Sequence, residues 1–91
     1  MKRSRRLFIT GSVHSLFFEQ FVQSNAEKIG IRGFMRKLDD GRMEVFIEGD
    51  GEKVDEMTQI CKRGSQHTQI RNVEEKEDRL QGFSNFKVLK I

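Results

Sequence analysis

With 91 residues, of which 35% are apolar and 34% charged, the chain has material for one domain around one modest core, and none for a second. No apolar run approaches the roughly 18 to 20 residues that cross a bilayer, and the basic start is not followed by the apolar segment of a secretory signal, so the expected location is cytoplasmic, with no membrane partner. The formal net charge is +3, and Lys2, Arg3, Arg5 and Arg6 supply four of the positive charges, so the remainder is close to neutral.

Residues 1–6 therefore read as a basic, solvated N-terminal tail ahead of a domain at 7–91. Leu7, Ile9, Gly11 and Val13 alternate with Phe8, Thr10 and Ser12, the period of a half-buried strand. From about Leu16 the period changes. Phe18, Phe21, Val22, Ala26 and Ile29 fall three and four apart, one apolar stripe on a helix that Gly30 closes. Ile31 to Leu38 reads as a second strand, Asp39-Asp40-Gly41 as a hairpin turn, and Arg42 to Glu48 as a third strand with Met43, Val45 and Ile47 on one face. Gly49-Asp50-Gly51 is expected to break that strand, with Asp50 capping a second helix from about Glu52 to Arg63. Its buried stripe is Val54, Met57, Ile60 and Cys61, and Lys62, Arg63 and Gly64 suit its C-terminal end. The single cysteine has no Cys or His neighbour at metal spacing, so Cys61 is expected to be a small buried apolar residue. Gln69 to Glu75 is a weakly patterned edge strand, and Phe83 to Ile91 contains a last strand with Phe86 and Val88 on one face.

The order is βαββαβ, with a short additional strand at the end. Two helices packed on one face of an antiparallel sheet bury these stripes economically, which gives an α+β, ferredoxin-like two-layer sandwich. Fold alone does not assign function. The informative stretch is Gly11 to Glu19, where the first strand turns into the first helix, because backbone N–H groups at such a junction and the positive end of the helix dipole favour an anion. Phosphate-loop candidates are His14, Ser15, Leu16, Phe17 and Phe18.

Two motifs give this stretch a family context. Gly11-x-Val13-His14-Ser15-Leu16-x-Phe18-Glu19 lies without gaps on the pattern G-x-V-Q-G-V-x-F-R, and Gly30 to Met43 lies on G-x-x-G-x-V-x-N-x-x-D-G-x-V. Over nearly its whole length, from about Leu7 to Ile91, the chain resembles the acylphosphatase family. That resemblance implies hydrolysis of the carboxyl-phosphate bond of acyl phosphates without metal or other cofactor. Loop amides and an arginine hold the phosphate, and an asparagine positions the attacking water. The family's arginine position is Glu19 in this chain, its asparagine position is Lys37, and its loop glycine is Ser15.

An arginine pairs bidentately with phosphate oxygens, whereas a glutamate repels them. Two unit charges ~4 Å apart interact by roughly 4 kcal/mol at an effective dielectric of about 20, so the reversal weakens phosphate binding severely. Lys37 lacks the acceptor oxygen of asparagine but brings a positive charge. If the fold is kept, Glu19 and Lys37 are expected to form a salt bridge across the site, contributing about 0 to 1 kcal/mol. His14 reads as a structural hydrogen-bonder and His67 as a loop residue, and neither completes a catalytic or metal-ligand set.

Phe8, Phe34 and Phe46 are expected on the sheet face away from the helices, with Arg6, Arg36 and Lys87 alongside; the preferred reading is a satellite apolar cluster or a self-association face, and its rival is the arrangement some RNA-binding modules use to stack bases. Three functional readings follow, in order. The first is an acylphosphatase-like domain with impaired or no activity, monomeric, keeping affinity for a small acyl phosphate or inorganic anion. The second is an active enzyme rewired around Lys37 and the loop amides. The third, below both, is a nucleic-acid module using the open sheet face and basic tail.

Overall fold

The computed structural model describes residues 1–13, 16–66 and 68–90. Its elements are β1 (Lys2–Gly11), α1 (Leu16–Ile29), β2 (Arg32–Lys37), β3 (Met43–Asp50), α2 (Gly51–Arg63), β4 (Ile70–Glu77) and β5 (Phe86–Leu89). The strands form one sheet in the order β4-β1-β3-β2-β5, antiparallel throughout except for the β2–β5 pair, which is parallel. This is the expected ferredoxin-like sandwich, with the short fifth strand at one edge and β4 at the other.

Alternation along the strands places the core. Leu7, Ile9, Met35, Met43, Val45, Ile47 and Phe86 point to one side, where Phe18, Val22 and Ala26 of α1 and Val54, Met57, Ile60 and Cys61 of α2 meet them. Each such aliphatic or aromatic side chain contributes about 1.5 to 3 kcal/mol when fully withdrawn from water. Burial also pushes the Cys61 thiol up to about 12, in keeping with its expected role as a small apolar residue. In the hairpin between β2 and β3, Gly41 has φ +93°, a conformation that side chains with a Cβ rarely adopt. Beside it the Asp40 carboxylate accepts from the backbone N–H and the Nε of Arg42, at 3.0 and 2.8 Å.

Three expectations are corrected. Residues 2–6 are not a solvated tail, because β1 begins at Lys2 and pairs with β3 from Lys2↔Asp50 onward. Their charges have partners within the chain: Arg3 and Arg5 reach Glu77 at 3.0 and 3.1 Å, Arg5 reaches Asp55 at 3.0 Å, and Arg6 reaches Asp78 at 2.8 Å as well as Glu44. Second, β3 runs on through Gly49 to Asp50, and Asp50 stands at the N-cap of α2 without a side-chain capping hydrogen bond.

Third, the sheet face away from the helices is not open over its central aromatics. The segment from Asp78 to Asn85 crosses it between β4 and β5, and Phe83 packs on Phe34 and Phe46 with ring centroids 5.5 and 5.8 Å away. Phe46 is completely buried. Glu48, also buried, holds this strap by accepting from the backbone N–H of Gln81 at 2.8 Å and of Phe83 at 2.6 Å. Phe34, Phe46 and Phe83 thus form a second, smaller packing layer, the satellite apolar cluster preferred from the sequence over a platform for bases.

Candidate active site

The junction between β1 and α1 is shaped by one glycine. The β1–β4 register shifts between Thr10 and Gly11, and the chain then passes so close to β4 that a Cβ on Gly11, at φ +148°, would lie 2.1 Å from the carbonyl oxygen of Gln69. The same carbonyl accepts from the N–H of Ser12 at 2.9 Å, tying the start of the loop to the sheet. Val13 is buried, so the loop is anchored in the core on its way to the helix.

Of the loop candidates, His14 and Ser15 lie outside the described residues, as does His67. Leu16, Phe17 and Phe18 open α1, with Phe18 buried in the core and Leu16 and Phe17 about three-fifths exposed beside the junction. Glu19 follows in the first helical turn, where a negative charge is favoured by the helix dipole.

Glu19 and Lys37 do line one cavity, of about 350 Å³, together with Arg36, Leu89 and Lys90. The expected Glu19–Lys37 salt bridge is not formed. Glu19 Oε1 instead accepts from Nζ of Lys90 at 2.7 Å, and the Glu19 side chain is only 17% exposed. Lys90 follows Leu89, the residue paired with Arg36 in the parallel β2–β5 ladder, just as Lys37 follows Arg36. Both lysines leave the end of the sheet on the same side, one beside the other. Lys90 wins the carboxylate, and Lys37 makes no ion pair among the described residues.

Arg36 turns away from this pair. Strand alternation sends its side chain to the opposite face, where Nε donates to Glu44 Oε1 at 2.5 Å. Glu44, buried, also receives Arg6, which lies over the Phe46 ring at 5.1 Å. Lys90 was missed from the sequence because its place beside Lys37 depends on the parallel pairing of strands some fifty residues apart. Among the described residues no group of His, Cys, Asp and Glu is arranged to hold a metal, and no helix is long and apolar enough to cross a membrane.

Comparison with known proteins decides the family. The Acylphosphatase family profile matches residues 5–88. The chain belongs to the acylphosphatase family. An acylphosphatase from Syntrophobacter fumaroxidans is 38% identical over 88 residues, which cover 96% of this chain and 91% of that protein. Among solved structures, an acylphosphatase from Bacillus subtilis superposes with a TM-score of 0.90 at 28% identity, covering 99% of this chain and all of that one. An acylphosphatase from Coxiella burnetii gives 0.89 at 23% identity, covering 97% and 93% of the two chains. Acylphosphatase relatives therefore match this chain along nearly its full length, and the profile reaches back to Arg5, inside the stretch first read as a tail.

Proposed function

We infer that this acylphosphatase-family chain has impaired or no acyl-phosphate hydrolysis and retains the site as a weak receptor for small anions. The observation that carries the reading is the Glu19–Lys90 ion pair: in the first turn of α1, where the family motif has a free arginine, there is a carboxylate already satisfied by a lysine of the same chain. Hydrolysis of an acyl phosphate needs a fixed cation on the phosphoryl oxygens and an acceptor that aims the water. Glu19 offers the first requirement the wrong sign. Lys37 offers the second a donor, since a protonated ammonium has no acceptor.

The rewired-enzyme reading has one observation in its favour, the uncompensated charge of Lys37 in the cavity. Hydrolysis of benzoyl phosphate separates the two. The wild-type chain is expected to match the uncatalysed rate, and Glu19→Arg with Lys37→Asn to exceed it measurably. Because Lys90 would then face an arginine, adding Lys90→Gln should raise the rate further. A wild type as fast as the revertant, slowed by Lys37→Ala, overturns impairment in favour of the rewired site. A monomeric state and a cytoplasmic location belong to the same proposal, which requires neither metal nor cofactor.

A further inference from the structure

Apart from Arg36, whose guanidinium is held by Glu44 on the opposite face, the described charged groups lining the cavity at the end of the β2–β5 ladder are two ammonium groups and one carboxylate, which leaves one positive charge over. We propose that Lys37 and Lys90 form a site for a small oxyanion and that the Glu19 carboxylate is its built-in competitor, occupying Lys90 until an external anion displaces it. The proposal rests on the reading of this cavity as an anion receptor and adds to it the residues that bind and the one that opposes.

The geometry favours this arrangement on three counts. First, the lysines follow directly on the parallel pair Arg36↔Leu89, Lys37 closing β2 and Lys90 the first residue past β5, so the last sheet pair brings their backbones side by side. Second, the carboxylate that balances them comes from a different element, α1, and reaches Lys90 alone. Lys90 is 68% exposed and Glu19 17%, so the lysine is the mobile member, able to swing to a ligand while Glu19 stays in place. Third, about 350 Å³ is more than a bare oxyanion fills, which leaves room for a short carbon body attached to it. The ligand class is thus a phosphate monoester or a carboxylate of small size. Both present two or more oxygens to a pair of ammonium donors, and the doubly charged phosphate gains more from them.

The test is a titration of the whole chain with inorganic phosphate, followed by amide and lysine side-chain NMR, with a parallel titration by acetate to tell the two sources apart. Phosphate is expected to bind in the millimolar range and to shift the signals of Lys37 and Lys90. Lys37→Ala is expected to weaken binding about fivefold and Glu19→Gln to tighten it about fivefold, the scale of one exposed ion pair. Spectral dispersion of each variant checks that the fold is kept, and Lys37→Arg, which preserves the charge, should restore affinity lost in Lys37→Ala. Tighter acetate than phosphate assigns the site to carboxylates within the same class. Phosphate binding that is indifferent to Lys37→Ala, or that Glu19→Gln leaves unchanged or weakens, overturns the proposal, as does no binding at all in that range. Because phosphate is not a hydrolysable substrate, these outcomes are independent of whether benzoyl phosphate is turned over.

Discussion

Asp78 shows how one side chain can couple two layers of this small molecule. Its carboxylate accepts from the backbone N–H of Arg79 at 2.7 Å and from Nε of Arg6 at 2.8 Å, while its backbone carbonyl accepts from the hydroxyl of buried Ser4. The N–H of Arg79 first, and then the Arg6 guanidinium, lower its pKa below the ordinary 3.8. A depressed carboxylate stabilises the fold above its unfolded-state pKa, and that contribution is lost as pH falls through the lower, folded-state value. Thermal melting of wild type and Asp78→Asn should therefore show the variant less stable near neutrality, with the gap closing below about pH 3.8. A gap that persists unchanged in acid would mean that the charge of Asp78 contributes nothing. Glu19 has its cation on the far side of the chain in sequence, and that distance is why a lysine nearer the motif was the natural first choice from the sequence.

Among the elements, the strap from Asp78 to Asn85 depends most on a single buried group. Both oxygens of Glu48 are used by strap amides. Removing them in Glu48→Ala leaves two N–H groups short of partners, at about 1 to 3 kcal/mol each, so a loss of roughly 2 to 6 kcal/mol is expected in chemical denaturation. Amide exchange at Gln81 and Phe83 should accelerate in Glu48→Gln, which retains one acceptor oxygen, and more in Glu48→Ala. Sequence periodicity revealed the elements whose stabilisation is apolar: the alternation from Leu7 to Val13, the stripe from Phe18 to Ile29 and the edge character of β4 all appear in the fold. It was silent where stabilisation is ionic. Lys2 to Arg6 have no apolar alternation because their inward member, Arg5, is satisfied by Thr58, Asp55 and Glu77 rather than by hydrocarbon. Glu44 and Glu48 carry no local signal of burial, since nothing in the neighbouring sequence announces that Arg6, Arg36 and a distant strap will cover them. The motif spacing located Glu19 and Lys37 at one cavity, but the partner of Glu19 required knowledge of which strand lies beside β2.

For the molecule as a whole, the charge that first suggested nucleic acid is largely spent internally. Arg3, Arg5 and Arg6 face acids of β4, α2 and the strap, and the central aromatics are stacked under Phe83. Counterion release needs cations that are available to phosphates. No retardation of single-stranded RNA is expected in an electrophoretic mobility assay even at low salt, and a salt-sensitive shift would restore the stacking surface as a live reading. The position of β1 carries one more consequence, for the order of folding. This strand is made first yet lies between β3 and β4, and its pairing with β4 joins Arg5 to Glu77. A chain growing on the ribosome at about 5 to 20 residues per second leaves one edge of β1 unsatisfied for several seconds, until β4 has emerged. The basic residues clustered at its start are then a safeguard of the nascent chain, since like charges along an open edge discourage two unfinished copies from pairing with each other.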